Sequence, residues 1–217
     1  MLTKDRSEMA ARAVRAFREQ TYQNKRLYIL DTGNENAGYF LDDDDVSHRW
    51  ADISLQTWSI GRLRNEACHN NADADIFIHW DDDDWSAPDR VERQLRLLES
   101  SGKPVVGVHD LLYHRMTDRT LWRYDFQGTP PYACGTSLCY LRSYWEAHRF
   151  PEKRHSEDTD FAMKARAEGN LASEPNAGMI VARWHGHNTY DPRFGPKPFT
   201  RERRENFPAA FLAQEGL

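Results

Sequence analysis

An apolar segment, Ala74-Asp-Ile-Phe-Ile-His-Trp80, runs straight into four consecutive aspartates at positions 81–84. The β-branched and aromatic residues ahead of the acids read as a strand, which delivers them at its carboxyl end. Behind them, Trp85-Ser-Ala-Pro-Asp-Arg90 leads into a helix pattern. Pro88 sits at a favourable first-turn position there, and Val91, Leu95 and Leu98 form one apolar face. A charge run is usually solvated, but folded structure on both sides anchors this one. Repulsion among adjacent acids disfavours the loop by itself, so a cation is expected to stabilise it.

The same alternation extends through the first half. Met9, Ala13, Val14 and Phe17 recur at helical spacing, with Asp5 or Ser7 as the expected cap. Arg26-Leu-Tyr-Ile-Leu-Asp31 reads as a buried strand and Thr32-Gly-Asn-Glu-Asn as the loop that leaves it. Thr57 or Ser59 opens a helix through Ile60, Leu63, Ala67 and Cys68, and Lys103-Pro-Val-Val-Gly-Val-His109 is a further strand. Alternating strands and helices predict an α/β fold with an open, mainly parallel sheet covered on both faces. Ligands in such folds collect beyond the carboxyl ends of the strands, where both Asp31 and the 81–84 run fall.

Beyond residue 110 the pattern changes to short polar-aromatic pieces at 121–124 and 133–141, a helix over 158–168 and a strand over 179–183. This predicts a smaller mixed-sheet region, followed by an extended flap and a basic tail. With 217 residues, 39% hydrophobic content, seven Trp, nine Tyr and ten Phe, the chain is long and aromatic enough for one folded domain. No apolar run approaches the roughly 18 residues that span a bilayer. Cys68, Cys134 and Cys139 match no zinc or disulfide spacing, so reduced thiols in a cytoplasmic protein are expected. The net charge of −5 gives no overall attraction for nucleic acid. A second acid run, 42–45, follows only a short apolar piece and reads as an exposed loop.

Two carboxylates at i and i+2 after a strand suit a hard divalent ion such as Mg²⁺ or Mn²⁺. Such an ion takes one or two ligands from protein and the rest from phosphate and water. An EF-hand is disfavoured, because the run lacks that loop's Gly and twelfth-position Glu. A phosphohydrolase or nuclease would also gather aspartates at strand ends, but no consistent two-metal set or nucleophile is found.

Five segments resemble family 2 glycosyltransferases in the right order. They are Phe17-Arg-Glu-Gln-Thr-Tyr-Gln-Asn with Leu27-Tyr-Ile-Leu-Asp31, then Ile60-Gly-Arg-Leu-Arg64-Asn65, and His79-Trp-Asp-Asp-Asp-Asp-Trp, which is similar to the Asp-x-Asp metal loop. Gly135-Thr-Ser-Leu-Cys-Tyr and Ser156-Glu-Asp-Thr-Asp-Phe follow. The resemblance spans residues 3 to about 190 and implies a GT-A (Rossmann-like) single domain. Residues 1–109 would form the nucleotide-sugar half, and 110–217 the acceptor side with the basic flap. Only Met1-Leu2 precede Thr3, where the family has a complete apolar strand, so either the chain was started late or that strand is shortened.

The resemblance also implies roles. Thr3 would lie beside the nucleotide. Asp31 resembles the acid that receives the imide hydrogen of a uridine donor, and Arg64 the nucleotide-side arginine. Asp81 and Asp83 form the Asp-x-Asp pair, with Asp82 between them on the donor side and Asp83 expected as the metal ligand. Asp158 resembles the general base that takes the acceptor hydroxyl's proton, with Asp160 as the second candidate. His185 resembles a late metal ligand. The implied activity is transfer from a nucleotide sugar, a UDP-sugar by this reading, to an unidentified acceptor (saccharide, lipid, protein or hydroxymethylated DNA) with Mn²⁺ or Mg²⁺. The residues themselves leave other roles open. Asp31-Thr-Gly is good turn chemistry, Arg64 suits a helix-surface ion pair, and Asp158 suits a helix start. His185-Gly-His-Asn suits a surface loop, the basic tail (Arg193, Lys197, Arg201, Arg203, Arg204) with its interleaved glutamates suits a solvated helix, and Trp80, Trp85 and Trp145 suit the core.

Overall fold

The computed structural model describes residues 1–34, 45–51, 58–126, 128–129, 131–186, 188 and 199–217. A short strand, β1 (Leu2–Thr3), precedes helix α1 (Ser7–Arg18), strand β2 (Leu27–Asp31) and strand β3 (Val46–Trp50). Then come α2 (Ile60–His69), β4 (Ile76–Ile78), β5 (Trp85–Ser86), α3 (Arg90–Ser101), β6 (Val105–Val108), β7 (Asp110–Arg115) and β8 (Thr120–Asp125). The remainder holds β9 (Cys139–Leu141), α4 (Arg142–Ala147), α5 (Glu157–Ala167), β10 (Leu171–Glu174), β11 (Ile180–Trp184), β12 (Phe199–Arg201) and α6 (Ala209–Glu215).

The expected α/β alternation holds, but among the described residues the strands divide into three sheets. The first, β1-β2-β3, is all parallel and sets Thr3 opposite Asp31. The second, β10-β6-β9-β4, is mixed: β10 runs parallel to β6, and β9 antiparallel to both β6 and β4. In the third, β12-β8-β7-β11-β5, a parallel β7–β11 pair is flanked by antiparallel neighbours. A cavity of about 590 Å³ lies between β2 and β4, lined in part by Leu27, Tyr28, Ile76 and Phe77.

Helix α1 buries Ala10, Ala13, Val14 and Phe17, the face its periodicity predicted. Neither Asp5 nor Ser7 caps it. Arg6 stands at the cap without a side-chain bond, because Asp5 instead accepts hydrogen bonds from the backbone and side-chain amides of Asn34, at 2.8 and 3.1 Å. Ser59 does cap α2, its hydroxyl accepting from Arg62 N at 3.2 Å; Thr57 lies outside the described residues. Pro88 falls before the start of α3 rather than in its first turn, and its carbonyl accepts from Thr21 N at 2.8 Å. Gly102 closes α3 in the left-handed conformation, φ +62°, that an L side chain adopts only with strain. The three cysteines are buried and none is in a disulfide.

Trp80, Trp85 and Trp145 all belong to the core, the role that suits them in the sequence. Trp80 packs edge-on against Phe17 and donates to Ala13 O at 3.1 Å. Trp85 meets Phe211, and Trp145 packs with Tyr140, Phe150 and Phe161. In the second acid run only Asp45 is described, in a turn; residues 42–44 lie outside, as do Arg193 and Lys197 of the tail. Within its described part Arg201 lies over Trp122, and Arg203 pairs with Glu205 at 3.5 Å.

Arg90, fully buried, ties the sheets together beneath the acid run. Its guanidinium donates to His79 O at 2.6 Å, Thr136 O at 2.7 Å, the Ser86 hydroxyl at 2.8 Å and the Gln94 carbonyl at 3.0 Å, over the Trp80 ring. Burial pulls its pKa down to about 10, so the side chain remains a cation at neutral pH. Replacing it strands several buried acceptors at once. Arg90→Met is expected to lose about 3–5 kcal/mol in urea unfolding. A loss below about 1 kcal/mol would show that the network contributes little.

Candidate active site

The acid run leaves β4 at its carboxyl end, next to the carboxyl ends of β1 and β2. There the Thr3 hydroxyl donates to Asp82 Oδ2 at 2.7 Å, and both residues are buried. Arg6, just beyond β1, spans two acids, with NH1 at 3.1 Å from Asp82 Oδ1 and 2.9 Å from Asp83 Oδ2. His185 follows β11 directly, and its Nε2 lies 2.9 Å from that same Asp83 oxygen. Asn188 braces the turn: its Oδ1 accepts from His185 N at 2.9 Å and its Nδ2 donates to Arg183 O at 2.8 Å. Asp84 points inward, accepting from the Thr136 hydroxyl at 2.7 Å and from Arg183 N at 3.3 Å. The loop thus sorts its acids by parity. Asp82 and Asp84 are buried in structural bonds, while Asp81 and Asp83 keep partial exposure.

Burial pushes the Asp82 carboxyl up to about 6, helped by the Asp83 charge. Asp84 is raised well above the carboxylate range by burial and then by Asp83 and Asp81. Burial raises Asp81 too; the Arg64 charge opposes this, and Asp83 adds to it. Arg64 itself bonds Glu157 Oε1 through Nε at 2.9 Å. Burial works against its charge, but Asp81, Glu157 and Asp158 outweigh that and raise its pKa. The site therefore carries more negative charge than its solvation supports, a condition that favours a bound cation.

Asp158 lies in the first turn of α5, with Oδ1 accepting from Thr159 N at 2.6 Å. Its Oδ2 rests on Gly135, where a Cβ would stand 1.6 Å away, so only glycine leaves room for that carboxylate. Gly135 is held in turn by His79, whose Nδ1 is 2.8 Å from Gly135 O. Burial keeps the His79 pKa well below the ordinary value, so the neutral ring donates that bond. Asp31 is buried at the end of β2; Oδ1 accepts from Gly33 N at 2.8 Å, and Oδ2 is 3.5 Å from His48 Nε2. Asp160, half-exposed on α5, pairs with Lys153 instead of joining these groups.

Thr3, Asp31, Arg64, Asp81, Asp82, Asp83, Asp158 and His185 thus gather at one end of the strands. Sequence reasoning missed Arg6, Thr136, Gly135 and Arg183, which complete the arrangement. Their roles depend on partners 77 and 100 residues distant, as in Arg6–Asp83 and Arg183–Asp83. Only Gly135 and Thr136 carried a local signal, as part of the Gly-Thr-Ser segment.

A family model described as glycosyl transferase family 2 matches residues 1–166. The chain belongs to glycosyl transferase family 2. Solved structures carry the same GT-A fold. S. aureus TarS 1-349 in complex with UDP-GlcNAc has a TM-score of 0.66 at 12% identity, over 87% of this chain and 58% of that one. The mannosyltransferase PcManGT from Pyrobaculum calidifontis, in complex with GDP-Man and Mn²⁺, has 0.62 at 13%, over 89% and 56%. At such identities the likeness is one of fold, and this chain spans a little over half the length of the two solved chains. No curated protein matches the chain. Among the described residues, no helix of this family 2 chain is long and apolar enough to cross a membrane.

Asp82 supplies a pH test. Its pKa of about 6 lies above the ordinary 3.8, so the folded chain binds this proton more tightly than the unfolded chain does. The folded state consequently loses stability as pH rises through that window, and the loss levels off above it. Asp82→Asn keeps an acceptor for Thr3 without the charge. It is expected to gain stability relative to the parent between pH 4 and pH 7, on the order of 2–3 kcal/mol at most. A difference between the two proteins that is the same at both pH values, by urea unfolding, would refute this.

Proposed function

We propose that this chain is a metal-dependent, inverting glycosyltransferase that moves a sugar from a UDP-sugar to an acceptor hydroxyl. In this reading one GT-A domain is split into a donor half, residues 1–109, and an acceptor half, residues 110–217. The observation that carries it is the convergence of Asp83, His185, Thr3 and Asp158 at the carboxyl ends of strands from separate sheets.

The residues fit a hard divalent ion. Asp83 Oδ2 and His185 Nε2 lie 2.9 Å apart, and Asp81, its pKa raised by burial and by the Asp83 charge, stands two residues away. Among the described residues no three His, Cys, Asp or Glu side chains close into a cage. The chain therefore offers a donor pair, with other positions left for phosphate oxygens and water, as Mg²⁺ and Mn²⁺ prefer. Such an ion, Mn²⁺ or Mg²⁺, would neutralise charge on the departing diphosphate. Asp83, Asp81 and His185 would hold it.

The remaining groups have separate tasks. Asp31 Oδ2 would accept the uracil imide hydrogen, its other oxygen being held by the Gly33 amide. Arg64, kept charged by three acids, supplies positive potential on the donor side. Asp158 Oδ2 takes the proton of the acceptor hydroxyl as that oxygen bonds to the anomeric carbon and the carbon–phosphate oxygen bond breaks on the opposite face. The diphosphate leaves with the electron pair, and configuration inverts. Asp160, on the same helix, is the reserve candidate for the base.

UDP with Mn²⁺ is expected to raise the melting temperature by several degrees, and Asp83→Ala to abolish that rise. The absence of any response to nucleoside diphosphates would overturn the proposal. Asp158→Asn should retain the UDP–Mn²⁺ shift but lose at least 100-fold in transfer, in line with the usual worth of a general base. Undiminished turnover would assign the proton to another group.

A further inference from the structure

The last helix reaches the acid loop through one buried ion pair. Arg183, on β11, and Glu215, at the end of α6, expose only 4% and 8% of their side chains. Arg183 Nε and NH2 both donate to Glu215 Oε1, at 3.1 and 2.7 Å. The remaining arm, NH1, donates to the backbone carbonyl of Asp83 at 3.2 Å, and the Arg183 amide donates to Asp84 Oδ1. One residue thereby fixes the backbone of the proposed metal ligand and the inward-facing acid beside it. His114, opposite Arg183 in the β7–β11 register, comes within 3.6 Å of Glu215 Oε2 and seals the pair from below.

Helix α6 is firmly seated. Phe211 is fully buried between Trp85, which directly follows Asp84, and the His114 ring. Arg119 donates to the Gly216 carbonyl at 2.5 Å. Arg183 and helix α6 lie beyond residue 166, where the family match ends; their partners Asp83, Asp84, Trp85, His114 and Arg119 lie within it.

We propose that Glu215 is a positioning residue for the acid loop: it holds the Arg183 guanidinium on the Asp83 carbonyl and away from the loop carboxylates. The physical reason is competition. A buried arginine without its own counter-ion turns to the nearest carboxylates, here those of Asp83 and Asp84, where it opposes any cation. With Glu215 neutralising it, the same arginine orients the loop and leaves the Asp83 carboxylate to Arg6, His185 and an incoming ion. The inference rests on the proposed metal-donor reading of Asp83.

Amide hydrogen exchange on the intact chain, with and without Mn²⁺ and UDP, separates the two claims. Because coupling between sites is reciprocal, ligand is expected to slow exchange in residues 81–84 and also in residues 209–217. Slowing at 81–84 alone overturns the positioning role and leaves the site reading intact. Slowing at neither place overturns the site reading itself. In variants, Glu215→Gln is expected to raise the Mn²⁺ dissociation constant about tenfold, read from the free-ion electron paramagnetic resonance signal. Arg183→Lys, which keeps a charge near Glu215 but loses the fork, should weaken Mn²⁺ in the same direction. Unchanged Mn²⁺ affinity in a folded Glu215→Gln protein, even with a lower melting temperature, would reduce the pair to a structural contact.

Discussion

Keeping four adjacent carboxylates folded at the end of a sheet is the constraint around which the structure is arranged. Each aspartate resists burial, and each neighbour makes burial worse. The chain answers with cations and hydroxyls drawn from every part of its length. Arg6 comes from the segment after β1, Arg64 from α2, Arg90 from α3, and Arg183 with His185 from β11 and its exit. Thr3 and Thr136 supply uncharged donors. What results is a loop of fixed shape with an unbalanced negative charge, which suits a cation-assisted departure of a diphosphate.

Parity within the loop turns that constraint into a division of labour. Asp82 and Asp84 are consumed in holding the loop, through Thr3, Thr136 and the Arg183 amide. Asp81 and Asp83 retain the exposure a ligand requires. The run of four acids is thereby divided into two buried and two partly exposed carboxylates. The resemblance placed Asp82 on the donor side; in the fold its oxygens are engaged by Thr3 and Arg6.

The Asp158 side of the site follows the same economy of contacts. Gly135 is needed because the Asp158 carboxylate occupies the space of a side chain. His79, neutral through burial, holds the Gly135 carbonyl while its own carbonyl is bound by Arg90. The strand that delivers the acids and the turn against which Asp158 packs are therefore locked to one another. The C-terminal helix adds a third attachment from outside the region shared with the family.

Local chemistry determined a great deal. The apolar faces of α1 and α3, the Ser59 cap, the strands ending at Asp31 and before Asp81, and the ordered motifs all follow from side-chain periodicity and turn preference within a few residues. Those features suffice for the α/β class, for the family resemblance and for most of the candidate residues. Tertiary structure decided the rest. It split the expected sheet into three and sent Asp5 to Asn34 instead of to the start of α1. It also left Asp160 with Lys153 and recruited Arg6 and Arg183 to acids far along the chain. No window of sequence holds both partners of the Arg6 and Arg183 contacts, 77 and 100 residues apart. The charge of a buried aspartate is balanced by whichever arginine the packing brings within about 3 Å, and packing is a property of the whole chain.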